Sequence, residues 1–128
     1  MSRDILLIED NENNRYLVRF LLEQAGHRVR TAHDGPGGLA EARSLVPDLI
    51  LLDIQLPGMD GHAVARALRE HPSLAKVPVV AVTSYAMVGD RERSLDAGCN
   101  GYIEKPIDPD TFVTDVEQFM RPPTERAG

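Results

Sequence analysis

The segment 48–61 constrains the fold of this chain more than any other stretch. Its residues 49–52 are four consecutive apolar residues, a run typical of a strand buried on both faces of a parallel sheet. The run ends at a carboxylate, Asp53, after which Pro57 and Gly58 turn the chain. Open α/β sheets bind ligands at the carboxyl ends of their strands, so Asp53 is a candidate site residue. The alternative is that Asp53 only caps the turn.

Further apolar runs alternate with helical patterns along the chain. The predicted strands are residues 5–8, 29–32, 49–52, 78–83 and 101–103. Five helices are predicted. The first ends near Ala25, the next three cover about residues 39–45, 62–70 and 87–97, and the fifth begins at Asp108 and Pro109. Residues 34–38 are predicted to be a turn, because they lack the Lys and Ser/Thr of a phosphate-binding loop. Five strands alternating with five helices predict a single α/β domain with a doubly wound parallel sheet.

Composition and charge exclude several classes of function. The chain has 128 residues and a net charge of −6, which argues against nucleic acid or an anionic membrane as its main partner. Its single Cys99 excludes an internal disulfide and a cysteine metal cluster, which suits the reducing cytoplasm. The first apolar run is too short for a signal peptide or a membrane span. We therefore expect a cytoplasmic protein that contacts neither nucleic acid nor membrane.

Side chains of complementary chemistry follow four of the predicted strands. Glu9 and Asp10 follow the first strand, Asp53 the third, Thr83 the fourth and Lys105 the fifth. Three carboxylates at one sheet edge repel one another unless a cation lies between them, and their oxygens suit Mg²⁺, with Mn²⁺ as a substitute. With a hydroxyl and an ammonium group beside them, they predict a pocket for a tetrahedral oxyanion and a carboxylate nucleophile.

Each of these residues also has a purely structural interpretation. Glu9 and Asp10 are suited to cap the first helix, Thr83 to cap the fourth, and Lys105 to be a solvated loop residue. Their shared position at the ends of the strongest strands favours the site instead. Cys99 is interpreted as a packed small residue. The four histidines lack the spacing of metal ligands: His27, His33, His62 and His71.

The order and spacing of these residues resemble those of response-regulator receiver domains of two-component signalling, over about residues 4–120. The resemblance rests on Glu9-Asp10, Asp53 with Pro57-Gly58-Met59-Asp60-Gly61 behind it, Thr83, Tyr102 and Lys105-Pro106. It implies a (βα)5 domain of strand order 2-1-3-4-5, as in flavodoxins and chemotaxis receivers. Residues 1–122 would form this domain and 123–128 a short flexible tail, with no output domain, as in single-domain response regulators.

The resemblance also implies the roles of the acidic residues. Asp53 would accept a phosphoryl group from a histidine kinase or a phosphotransfer protein. Asp10 and Asp53 would coordinate Mg²⁺ directly, joined by the backbone carbonyl of Gln55, while Glu9 would act through water. The protein would be no enzyme beyond its own phosphoryl transfer and autodephosphorylation.

The remaining implied roles belong to the switch. Lys105 would pair with a phosphoryl oxygen, Thr83 would move to bind another, and Tyr102 would turn inward. The bond between Lys105 and Pro106 is expected to be cis. The face made by the fourth helix, fifth strand and fifth helix would then bind a downstream protein, with the chain a monomer or weak dimer.

A few positions and interpretations stay open. Gln55 and Tyr85 occupy places that tune dephosphorylation in this family, and Ser84 stands where the family often has Ala. An aspartyl phosphatase would need a second Asp where Gln55 stands, and a flavodoxin-like phosphate loop would be repelled by the acidic residues 9–12. The chain could also be a receiver-like interaction module that takes no phosphate, or a receiver module cut from a hybrid histidine kinase.

Overall fold

A five-stranded parallel sheet forms the centre of the computed structural model, which describes residues 3–56, 58–84 and 89–120. The strands are β1 (Asp4–Ile8), β2 (Arg28–Ala32), β3 (Leu49–Asp53), β4 (Val79–Thr83) and β5 (Gly101–Glu104). The helices are α1 (Glu12–Gln24), α2 (Gly35–Ser44), α3 (Gly61–Glu70), α4 (Asp90–Asp96) and α5 (Phe112–Glu117), with 3-10 turns at Pro72–Leu74 and Gln118–Met120. The strand order β2-β1-β3-β4-β5 confirms the predicted fold class and order.

Two apolar clusters cover the two faces of the sheet, because successive strand residues point to opposite sides. The first cluster joins alternate strand residues to α2, α3 and the end of α4: Leu6, Ile8, Ile50, Leu52, Val79 and Ala81 with Ala42, Val64, Leu68 and Ala97. The second joins the other strand residues to α1 and α5: Ile5, Leu7, Leu49, Leu51, Val80 and Val82 with Val18, Leu22, Phe112 and Val116. All five residues of β3 are buried as a result.

α2 begins at Gly35, so the predicted turn over residues 34–38 and the predicted helix start near residue 39 are wrong. Asp34 caps the helix, since its Oδ1 accepts the N–H of Gly37 at 2.7 Å, and Pro36 lies in the first turn. A Cβ added at Gly38 would collide with the side chain of Ile8. Glycine is a poor helix former, but here it lets α2 approach β1 closely, and that packing outweighs its low propensity.

α5 begins at Phe112, later than the start predicted at Asp108 and Pro109. Asp108 instead caps a separate turn: its Oδ1 accepts the N–H of Asp110 at 2.9 Å, and its carbonyl accepts the N–H groups of Thr111 and Phe112. The cap signal in the sequence is therefore real, but it belongs to the turn that precedes the helix.

Glycines follow two helices whose ends agree with the predicted ones. Gly26 follows α1 with φ 97° and Gly98 follows α4 with φ 108°, a backbone conformation that favours glycine. The predicted start of the fourth helix at Met87 lies outside the described residues, as do Pro57, Tyr85 and the tail from residue 121 onward. In the ranges that the structure describes, the helices are all too short or too polar to span a bilayer.

Candidate functional site

The carboxyl ends of four strands bring the predicted site residues to one edge of the sheet. Asp53 and Thr83 are the last residues of β3 and β4, while Glu9 and Lys105 directly follow β1 and β5. The register aligns these ends, since Ile8 pairs with Leu52 and Thr83 pairs with Glu104. The β-strand pattern of the sequence thus places all of these side chains at one edge, as predicted.

Three carboxylates form the centre of this edge. Glu9, Asp10 and Asp53 each offer one oxygen, and these oxygens all lie within 4.8 Å of one another. Glu9 and Asp53 are only 2% and 3% exposed, whereas Asp10 is exposed to solvent. Asp10 is therefore the member of this trio that contacts solvent, beside the buried carboxyl groups of Glu9 and Asp53.

Burial and the neighbouring carboxylate of Glu9 raise the pKa of Asp53 to about 7. The backbone N–H of Gln55, which donates to Asp53 Oδ1 at 2.9 Å, and the charge of Lys105 act in the opposite direction but do not compensate. Burial also opposes ionisation of Glu9, but hydrogen bonds involving Asp53, Lys105 and the N–H of Asn11 together hold the pKa of Glu9 below its usual value. Ionising both buried carboxyl groups at once is therefore unfavourable, and a divalent cation among their oxygens would favour the ionised pair.

Lys105, which follows β5, places its side chain next to Glu9 and Asp53. Its Nζ donates to Glu9 Oε1 at 2.7 Å and lies 3.6 Å from Asp53 Oδ2. Its backbone N–H donates to the carbonyl of Thr83 at 2.7 Å, and its peptide bond to Pro106 is cis, the isomer that the resemblance implies. The backbone therefore holds the ammonium group beside both buried carboxylates.

Two contacts that support the site were not predicted from the sequence. Arg15 Nη1 donates to the backbone carbonyls of Glu9 and Asp10, at 2.9 Å in each case. The side-chain Oε1 of Gln55 accepts the hydroxyl of Ser84 at 2.9 Å and links the loops after β3 and β4. An arginine in the first turns of a helix is common, and a Gln–Ser contact between loops leaves no periodic signal, so no pattern in the sequence singled them out.

Thr83 and Tyr102 lie next to a cavity of about 280 Å³ behind the carboxylates. His62 and Ser94 line its inner side and join α3 to α4, since His62 Nε2 lies 2.9 Å from the Ser94 hydroxyl. The Tyr102 hydroxyl is buried and has no hydrogen-bond partner in the described part of the chain. Burial and the nearby carboxylates Asp90 and Glu104 raise the pKa of this phenol. The cavity gives both predicted switch residues space beside the site.

The remaining candidates lie away from this edge. Cys99 is buried in the first apolar cluster, where burial raises the pKa of its thiol to about 11. His27 is buried between Arg3, whose N–H donates to Nδ1, and Glu117, 2.8 Å from Nε2. The acidic trio is the one group of potential metal ligands found in the described residues.

Comparison with known proteins agrees with this geometry. The family model described as "Response regulator receiver domain" matches residues 5–117. The polar-differentiation response regulator DivK of Brucella ovis is 40% identical over 120 residues, covering 94% of this chain and 98% of DivK. The chain likewise spans nearly the full length of two solved structures.

The first is the chemotaxis protein CheY4 of Vibrio cholerae, with a TM-score of 0.88, 26% identity, and coverage of 93% of this chain and 99% of CheY4. The second is the receiver domain of the sensor histidine kinase PA1611 of Pseudomonas aeruginosa, with a TM-score of 0.86, 33% identity, and coverage of 94% and 98%. That structure has a magnesium ion coordinated in its active-site cleft. The family model and the near full-length relatives show that this chain belongs to the response regulator receiver domains.

Proposed function

We propose that this receiver domain is a switch that accepts a phosphoryl group on Asp53 from a histidine kinase or a phosphotransfer protein. The observation that carries the proposal is the buried carboxylate of Asp53, which ends the central strand next to two further carboxylates and the ammonium group of Lys105. The buried carboxylate supplies the nucleophile, and the surrounding charges suit a phosphoryl group together with a cation.

The acidic residues fit Mg²⁺, and Mn²⁺ would use the same oxygens. Asp10 and Asp53 would hold the ion, with the backbone carbonyl of Gln55 as a further ligand and Glu9 acting through water. The raised pKa of Asp53 fits this assignment, since burial and the carboxyl group of Glu9 disfavour its ionisation and a bound cation would favour it. When bound, the ion supplies positive charge that offsets the repulsion between these carboxylates and the incoming phosphoryl oxygens.

The transfer is a substitution at phosphorus. A carboxylate oxygen of Asp53 forms a bond to the phosphorus of a phosphohistidine, and the bond between phosphorus and the imidazole nitrogen breaks. The nitrogen keeps the electron pair of that bond, and Asp53 becomes an acyl phosphate. Lys105 is positioned to neutralise one phosphoryl oxygen, which would compete with Glu9 for its ammonium group. Beyond this transfer and the hydrolysis of the acyl phosphate, in which water takes the phosphoryl group and Asp53 leaves as a carboxylate, we propose no catalysis by the domain.

The response to phosphorylation would run through Thr83 and Tyr102. The added phosphoryl charge favours the arrangement in which the Thr83 hydroxyl donates to it, and this shifts the population of conformations. Tyr102 would follow into the cavity beside Thr83 and alter the face formed by α4, β5 and α5. That face would contact the downstream protein, with the chain acting as a monomer or weak dimer in the cytoplasm.

Intact mass after incubation with acetyl phosphate tests the proposal. We expect one phosphoryl increment on the wild type in the presence of Mg²⁺, and none on the Asp53→Asn variant or with a chelator. The variant Asp96→Asn, which removes an exposed carboxylate on α4, is the matched control and should be phosphorylated normally. A folded, Mg²⁺-binding wild type without any adduct would instead favour an interaction module that takes no phosphate.

A further inference from the structure

A groove runs along the surface formed by α4, β5 and α5. It has a volume of about 480 Å³ and extends from Arg91 on α4, across β5, to Phe119 in the 3-10 turn that follows α5. β5 is an edge strand, because β4 is its one neighbour in the sheet. The groove therefore lies at the edge of the sheet formed by β5, the strand that contains Tyr102.

The floor and the rim of this groove differ in chemistry. Ile103 and Phe119 form an apolar floor, each packed on one side against the second core cluster and partly open on the other. Glu104, Asp108 and Asp115 form the rim. Together with Arg91 they give the lining residues that the structure describes three negative charges and one positive charge, a net charge of −2. None of the three carboxylates has a lysine or arginine ion-pair partner in the part of the chain that the structure describes.

We infer that this acidic groove binds a basic, amphipathic segment of a partner protein. The inference rests on the proposed function, in which this face contacts the downstream protein, and it adds the chemistry of that partner. Apolar side chains of the segment would cover Ile103 and Phe119, and its Lys or Arg side chains would pair with the rim. Complementary charge of this kind raises the association rate and selects the partner.

A second copy of the chain is a poor occupant of the same groove. A two-fold symmetric contact places the same patch on both subunits, so two net charges of −2 would face each other. β5 is also short, with four residues, and carries the exposed charge of Glu104, two features that discourage pairing between edge strands. The charge pattern thus favours a basic partner over self-association.

Fluorescence anisotropy with two labelled model peptides tests the inference. One peptide carries Leu and Lys at helical spacing, and the other has every Lys replaced by Glu. We expect the basic peptide to bind at least about tenfold more tightly at low salt, and Glu104→Lys to weaken it about fivefold. Glu70→Lys makes the same change in net charge on α3, outside the groove, and should stay within about twofold of the wild type.

Amide chemical shifts of the labelled protein locate the bound peptide and should change along β5 and α5. Equal weakening by the two lysine variants, shift changes confined to other surfaces, or equal affinity for both peptides would overturn the inference. Repeating the titration with and without acetyl phosphate, and on Asp53→Asn, separates the two proposals. Unchanged groove binding in all three samples supports the docking surface while removing its coupling to phosphorylation.

Discussion

The ammonium group of Lys105 lies closer to Glu9 than to Asp53, at 2.7 Å from Glu9 Oε1 against 3.6 Å from Asp53 Oδ2. Both contacts are largely shielded from solvent, so we expect the lysine to stabilise the folded protein in addition to its proposed role in phosphoryl transfer. Before phosphorylation its stronger partner is the carboxylate that we do not expect to react. Phosphorylation would therefore bring a competing anionic partner to Lys105, and that competition would link the proposed chemistry to the stability of the domain.

Replacing Lys105 by Ala should cost about 2–4 kcal/mol in the free energy of unfolding, because it leaves two buried carboxylates without their cation. Urea denaturation without Mg²⁺ measures the loss. The double variant Glu9→Gln/Lys105→Ala should lose less than the sum of the single variants, since removing the acid removes most of the uncompensated charge. Strict additivity of the two changes would show that the pair is not coupled.

Asp53→Asn should stabilise the metal-free protein, and more so at pH 8 than at pH 5. The pKa of Asp53 is about 7 in the folded chain and near its ordinary value of ~3.9 in the unfolded chain, so the fold favours the protonated form. The stability that Asp53 contributes is present below the unfolded pKa and is lost as the pH rises through about 7. We expect the gain from Asn to be about 2–3 kcal/mol larger at pH 8 than at pH 5 in urea titrations with chelator. A gain independent of pH would contradict the raised pKa.

Adding Mg²⁺ should raise the melting temperature, because a ligand that binds only the folded state stabilises it. At ten times the dissociation constant the gain is about 1.4 kcal/mol. Asp10→Asn should remove most of this gain, since Asp10 is the exposed member of the acidic trio and opens the site to water. Asp96→Asn is the control and should keep the full response. An Asp10→Asn protein with an unchanged Mg²⁺ titration would place the ion elsewhere.

Arg15→Ala should weaken Mg²⁺ binding several-fold while the protein stays folded. The guanidinium fixes the backbone carbonyls of Glu9 and Asp10, so its loss lets the loop after β1 move, with a cost of about 1–2 kcal/mol in stability. Arg19→Ala is the matched control one turn later on α1. Its ion pair with Glu23 is exposed, and its removal should leave both the unfolding free energy and the Mg²⁺ titration nearly unchanged. Similar losses in both variants would argue against a role for Arg15 at the site.

The sequence predicted the sheet and the set of site residues because both depend on short-range patterns. An apolar run bounded by turn residues determines a buried strand, and parallel strands bring the residues after them to one edge. The start of α2 is not evident from the sequence because Gly37 and Gly38 have low helix propensity, and the close approach of Gly38 to Ile8 is a tertiary contact. The start of α5 was missed because a cap at Asp108 serves equally well for a turn and for a helix.

Contacts between loops leave no short-range pattern in the sequence from which they could be predicted. The hydrogen bond from Ser84 to Gln55 depends on the relative placement of two loops, and neither residue carries a periodic signal. The contacts of Arg15 depend on the angle at which the chain enters α1 after β1. The shift in the pKa of Asp53 likewise required the depth of its burial, which a strand pattern does not provide.

The complete burial of β3 determines which parts of this domain are free to respond. Its five residues lie between two packed apolar layers, so Asp53 ends a strand that is buried over its whole length. A structural response to phosphorylation of Asp53 would therefore have to involve the elements around β3. These are the loops after β3 and β4, and the edge strand β5 with its neighbouring helices. If Asp53 is phosphorylated as proposed, we therefore expect β3 to keep its position and the β5 side of the sheet to change.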